Sequence, residues 1–185
     1  AMKTNPAAYA RGLADSPELS DEQIEALKAQ VEKAAESIVL TTSYDEAFGD
    51  ADLVIEAIAE EPKQKIELYT EMQKHLPERT IVCTNSSTML PSQFAEYTGR
   101  PAKYLALHFA NEIWKNNTAE VMGHPGTDPA AYEQVAEFAG KIGMIPLRLK
   151  KEQPGYILNS MLVPFLTAAE SLLANGVADP ETIDK

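Results

Sequence analysis

A histidine, a glutamate and a hydroxyl lie near the middle of this sequence, each in or beside a short apolar run. His108 is the fifth residue of YLALHF, Glu120 sits inside TAEVM, and Ser87 is the third residue after TIVCT. An imidazole beside a carboxylate, with a hydroxyl in reach, can take a proton from a substrate oxygen or return it. Glu120 is surrounded by Ala119, Val121 and Met122. A carboxylate in such a neighbourhood is costly unless paired, so a His108–Glu120 pair would satisfy both groups. It would also hold the ring in one orientation and favour its charged form, as proton transfer requires.

Each of these residues has a plainer reading. His108 can be a hydrogen-bonded core histidine, and Ser87 a turn hydroxyl at a strand end. Asn159, among Ile157, Leu158, Met161 and Leu162, is either a core amide bonded to backbone or a donor to a substrate carbonyl. Glu60 and Lys65 read as a solvated pair at a helix N-terminus. Lys63, Lys65, Lys74 and Lys103 are too scattered to define an anion site. His75, His108 and His124 show no recurring ligand spacing, so no metal is expected.

The elements that would position these groups alternate between strand and helix. Residues 80–84, 104–109 and 118–122 read as neighbouring strands, and ligands in such sheets bind outside the strands' carboxyl ends. Residues 51–59 (ADLVIEAIA) read as a parallel strand buried on both faces, residues 37–42 (SIVLTT) as a short strand, and residues 145–149 as a last one. Ser20 and Gln23 form a capping box ahead of a helix striped by Ile24, Leu27, Val31 and Ala34 or Ala35. Further helices are expected over residues 63–76 behind Pro62, 91–97, 129–142 behind Asp128, and 156–174, with one turn at 45–49 and another start at Asp179-Pro180. Residues 2–16 look irregular. The pattern predicts an α/β fold with a mostly parallel sheet. One boundary falls near residues 153–155, where strands give way to helix alone.

Composition narrows the function classes. The 185 residues carry a formal net charge of −12, which argues against a phosphate-backbone partner. Cys83 is the single cysteine, so neither a disulfide framework nor a thiolate cluster is available and a reducing cytoplasm fits. No apolar run reaches the roughly 18 residues of a membrane span. No G-x-G-x-x-G occurs among the nine glycines.

From about residue 37 to residue 185 the chain resembles the NAD-dependent 3-hydroxyacyl-CoA dehydrogenases, in their 3-hydroxybutyryl-CoA dehydrogenase and diketoreductase branch. The matching pieces are ADLVIEAIAEEPKQK, TNSSTMLPS, LHFAN, NNTAEVMGHPGTDP and PGYILNSMLVPFL with GVADPETIDK. The resemblance implies a Rossmann-like NAD-binding domain over residues 1–153 and the start of a helical dimerisation domain over 154–185. It implies that His108 moves the proton of a 3-hydroxyl, that Glu120 holds the ring, and that Ser87 and Asn159 bond the substrate oxygen. Glu60, Lys65, Asn85, Ser87 and Asn111 are carried over as cofactor-side positions for NAD. The implied substrate is an acyl-CoA of fatty acid metabolism or a related β-hydroxy or β-keto compound, and the implied partner a second copy of the chain.

The family's glycine-rich first βαβ unit has no counterpart before Met2, and HFANEIW replaces the broader family's HFFNP. The expectation is therefore an incomplete Rossmann-like domain with little activity alone. A non-catalytic association module is the alternative.

Overall fold

The computed structural model describes residues 20–113 and 115–185. Five strands form one sheet in chain order: β1 (Leu53–Glu56), β2 (Ile81–Thr84), β3 (Tyr104–Phe109), β4 (Thr118–Met122) and β5 (Ile145–Leu149). β1, β2 and β3 run parallel, β4 is antiparallel to β3, and β5 is parallel to β4. The sheet is thus mostly parallel, as expected, with one reversal. Residues 110–117 are too few for a parallel crossover, which takes about a dozen or more, so the chain returns as a hairpin.

Six α-helices accompany the sheet among the described residues: α1 (Asp21–Ser37), α2 (Tyr44–Phe48), α3 (Pro62–Met72), α4 (Pro129–Lys141), α5 (Leu158–Ala174) and α6 (Pro180–Ile183). Their starts follow the sequence signals. Ser20 and Gln23 close the capping box of α1. Asp128 accepts from the Ala130 N–H, and Asp179 from that of Thr182. Glu61 accepts from Lys63 and Gln64 at the start of α3. Each carboxylate or hydroxyl fills a donor that the helix itself leaves open.

The two-residue period of the strands sorts the sheet into two faces. On one, Ile81, Cys83, Leu105, Leu107 and Val121 pack against Val135 and its neighbours on α4. On the other, Val54, Val82 and Tyr104 pack against Tyr69 and Met72 of α3 and against Phe94. Glu56, Thr84, His108 and Glu120 share the parity of this second face. All the buried polar chemistry therefore lies on one side of the sheet, below α3 and the start of α5.

Five expectations need correction. The helix expected over 63–76 stops at Met72 and gives way to turns. Residues 37–42 are not a strand: α1 runs through Ser37, and residues 38–43 make no ladder among the described residues. An apolar run becomes a strand only where a neighbour offers a row of partners, and Val39 and Leu40 are instead largely exposed. The strand expected over 51–59 is confined to β1, where Ile55 is exposed and the burial alternates because β1 is the sheet's edge among the described residues. Residues 91–97 form 3-10 turns, Pro91–Gln93 and Ala95–Thr98. The helix expected from 156 begins at Leu158, since Gly155 and Tyr156 both have positive φ, 76° and 56°. No helix among the described residues is long and apolar enough to cross a membrane.

Candidate active site

His108 and Glu120 face one another as a register pair across the β3–β4 hairpin. The His108 Nδ1–H donates to Glu120 Oε2 at 2.8 Å, which fixes the tautomer and leaves Nε2 free to accept. The Ser87 hydroxyl donates to that Nε2 at 3.1 Å from the loop after β2. Glu120's other oxygen, Oε1, accepts from the backbone N–H groups of Ile157 and Leu158 at 2.8 and 3.0 Å. One carboxylate thus orients the imidazole and caps α5, whose own cap residue supplies no side-chain bond. Asn159, in the first turn of α5, donates through Nδ2 to the Ser87 carbonyl at 3.3 Å.

These four side chains, three of them with a plainer alternative in the sequence, converge. Ser87, His108 and Asn159 line a cavity of about 520 Å³, walled also by Leu162 and by the 110–117 loop with Asn111 and Lys115. His108 and Glu120 are both buried, and the Tyr156 ring lies over His108 with centroids 4.7 Å apart. Burial, with Tyr104, Glu60, Glu120 and Glu56 nearby, raises the Tyr156 phenol's pKa, so it stays protonated. A larger cavity of about 550 Å³ lies at the far end of β4, around His124, Tyr132 and Lys151, and holds no paired acid and base of this kind.

A second buried cluster sits at the end of β1. Glu56 Oε1 accepts from Lys65 Nζ at 2.8 Å and from the Ile58 N–H at 2.7 Å. Its Oε2 accepts from the Tyr69 hydroxyl and from Thr84 Oγ1 at 2.8 Å. Tyr104 donates in turn to the Tyr69 hydroxyl. Burial first, then Tyr104 and Glu56, push the Tyr69 phenol far above its ordinary pKa. Lys65 is fully buried and also lies 3.5 Å from Glu60, so it is not the solvated residue that the sequence allowed. Glu60 accepts from Ser86 and Thr88. Burial raises its pKa, but those two hydrogen bonds and the Lys65 charge outweigh it and hold the carboxyl below its ordinary value.

The remaining cofactor-side positions lie at the same strand ends. Asn85 Oδ1 accepts from the Phe109 N–H, and the Asn85 N–H donates to the Glu56 carbonyl, tying β1, β2 and β3 together beside Ser87. The Asn111 side chain lines the cavity with no hydrogen-bond partner among the described residues. Glu60, Asn85, Ser87 and Asn111 therefore offer a polar donor and acceptor set that fits the amide and ribose end of a nicotinamide. The scattered lysines do not converge: Lys63 reaches Glu67, Lys74 reaches Glu71 and Lys103 the Glu78 carbonyl. Glu56, Tyr69, Thr84 and Tyr156 were missed. An acid inside the apolar run ADLVIEAIA was the available signal for Glu56.

A mostly parallel α/β sheet with a buried imidazole–carboxylate pair and polar side chains at its strand ends is the architecture of a Rossmann-like domain. The chain belongs to the family described as 3-hydroxyacyl-CoA dehydrogenase, NAD binding domain, which it matches over residues 2–153, and the cofactor of that domain is NAD. It is 34% identical over 171 residues to the mitochondrial hydroxyacyl-coenzyme A dehydrogenase of Sus scrofa, with 92% of this chain and 52% of that protein covered. It is 31% identical over 159 residues to the 3-hydroxybutyryl-CoA dehydrogenase of Clostridioides difficile, covering 86% of this chain and 56% of that protein. Among solved structures, a diketoreductase described as acting on dicarbonyl compounds is 48% identical with a TM-score of 0.85, over 98% of this chain and 62% of that one. The chain spans about half the length of the curated relatives it matches.

Proposed function

We propose that this chain carries the proton-transfer site of a dehydrogenase that interconverts a short-chain 3-hydroxyacyl-CoA and its 3-ketoacyl-CoA with NAD. The observation behind the reading is the direction of His108: Nδ1 is engaged by Glu120 while Nε2 meets Ser87 in the cavity. In oxidation, Nε2 takes the proton of the substrate hydroxyl. Glu120 opposes the positive charge left on the ring. Ser87 turns its one O–H from Nε2 to the substrate oxygen, joined there by the Asn159 amide, as that oxygen becomes a carbonyl. In reduction the ring returns the proton. The chemistry that NAD supplies when bound is acceptance of the hydride from the carbinol carbon, or its donation in reverse. Glu60, Asn85, Ser87 and Asn111 would hold its nicotinamide end, with Lys65 acting through Glu60.

Residues 1–153 are assigned to the NAD-binding domain and residues 154–185 to the start of a helical, dimer-forming domain, in a cytoplasmic protein. The 48% identity to a diketoreductase supports a second substrate reading, a CoA-free dicarbonyl compound. The exposed apolar side chains of α5, among them Met161, Val163 and Phe165, support self-association, which is also what a non-catalytic module would use.

The test is NADH-dependent reduction of acetoacetyl-CoA and of a dicarbonyl ester. It is run on the chain alone and on a fusion that adds, ahead of Met2, a glycine-rich strand–turn–helix unit of the kind that cradles a dinucleotide pyrophosphate. The expected result is turnover in the fusion that His108→Gln removes, with little or none in the chain alone. A fusion that binds NADH yet reduces neither compound in a His108-dependent way would overturn the reading in favour of the association module.

A further inference from the structure

Two hydrogen bonds, one at each ring nitrogen, restrain the ring of His108 at its edge but put nothing against its face. A histidine's second side-chain torsion is broad, and turning about it tilts the ring away from its partners unless something packs against the ring's face. The group lying against its face is Tyr156, with centroids 4.7 Å apart and an interplanar angle of 33°. Tyr156 is fully buried, seated among Ala106, Met122 and Leu149 at the base of the dyad.

Its backbone is as unusual as its position. Tyr156 has φ 56°, a left-handed conformation that bulky side chains seldom adopt. The left-handed pair at Gly155 and Tyr156 breaks the chain direction just before α5 and delivers the next two N–H groups, of Ile157 and Leu158, to Glu120 Oε1. The hydroxyl takes no part: it is buried without a hydrogen-bond partner among the described residues. What the position uses is the ring and the turn.

We propose that Tyr156 is a positioning residue for the proton-transfer pair, its ring fixing the plane of His108 while its left-handed turn aims the first N–H groups of α5 at Glu120. The inference rests on reading His108 and Glu120 as that pair. It assigns part of the site's rigidity to the turn between sheet and helix, rather than to the two strands that carry the pair.

The test is proton NMR of the isotopically labelled 185-residue chain in mildly alkaline buffer, with no substrate or NAD present. An Nδ1–H held on a buried carboxylate gives a separate downfield signal, identified here by its loss in His108→Gln. Tyr156→Phe keeps the ring. Tyr156→Gly and Tyr156→Asn both accommodate positive φ and delete it. The expected result is a retained signal in wild type and Tyr156→Phe, and its loss to solvent exchange in the two ringless variants, with backbone amide signals of the distant α4 face unmoved.

A folded ringless variant that keeps the signal overturns the proposal, as does a wild-type chain that lacks it. If both ringless variants unfold, Tyr156 is core packing and the proposal fails. Since no turnover is measured, loss of the dehydrogenase reading would leave this result standing, and the reverse holds too.

Discussion

Glu56 and Glu120 are both buried carboxylates on the same face of one sheet, and they are used in opposite ways. Glu56 is saturated: lysine, backbone, phenol and hydroxyl donors occupy both oxygens, and nothing in the cluster opens onto the 520 Å³ cavity. Glu120 spends one oxygen on the start of α5 and the other on a histidine whose second nitrogen faces that cavity. A closed network of buried charge specifies geometry. A network with one valence left toward a pocket can do chemistry. Burial alone does not separate the two cases; the nitrogen turned toward the cavity, met there only by an exchangeable serine hydroxyl, does.

The comparison predicts that the two clusters separate activity from stability. The largest effect is expected for His108→Gln in the fusion form, where turnover should fall about 10²- to 10⁴-fold while the urea midpoint barely moves. A matching loss of stability would mean that His108 is a structural histidine after all. Lys65→Met should do the converse. It strands Glu56, and breaking a buried pair from one side costs about 3–5 kcal/mol, read as a lower urea midpoint. Adding Glu56→Gln should recover much of that loss; costs that simply add would show that the pair is not coupled.

Two hydroxyl deletions sharpen the contrast at smaller scale. Thr84→Val removes a hydrogen bond to the buried Glu56 carboxylate and should cost about 1.5–3 kcal/mol of stability. Ser87→Ala removes a hydroxyl at the cavity and should leave stability nearly unchanged while lowering kcat by about tenfold or more. The smallest effect concerns Glu60, which lies between the clusters. Its folded pKa is below the ordinary carboxylate value, so it favours folding above that value and loses this contribution as pH falls through the lowered one. Glu60→Gln should therefore flatten the acid limb of the stability–pH curve. An unchanged limb would mean that the Ser86 and Thr88 bonds do not hold in solution.

Much of the site was legible because its residues interrupt apolar runs. His108, Glu120 and Ser87 stand out where a strand should hold only hydrocarbon, and one short hairpin brings the first two face to face. Pattern says nothing about partners, and the misreadings follow from that. Residues 37–42 look like a strand by composition yet find no ladder. Lys65 looks solvated because the acid that buries it, Glu56, sits nine positions back inside a strand. The reversal of β4 was available from the eight-residue connection. The left-handed pair at Gly155 and Tyr156 was not, since only its glycine announces the turn.

The β3–β4 hairpin has a consequence for how such a site changes over time. Its loop end is clamped by the His108–Glu120 register pair and, two residues further on, by the Ala110 N–H donating to the Thr118 carbonyl. A slip of one residue would turn both side chains to the wrong face, so the register is stringently held. The connection beyond these rungs, residues 110–117, forms part of the cavity wall, and lengthening it costs only slowly growing closure entropy. Substrate preference and acid–base chemistry are thereby uncoupled in inheritance: insertions and substitutions at the loop can explore new ligands while the proton-transfer pair is passed on intact.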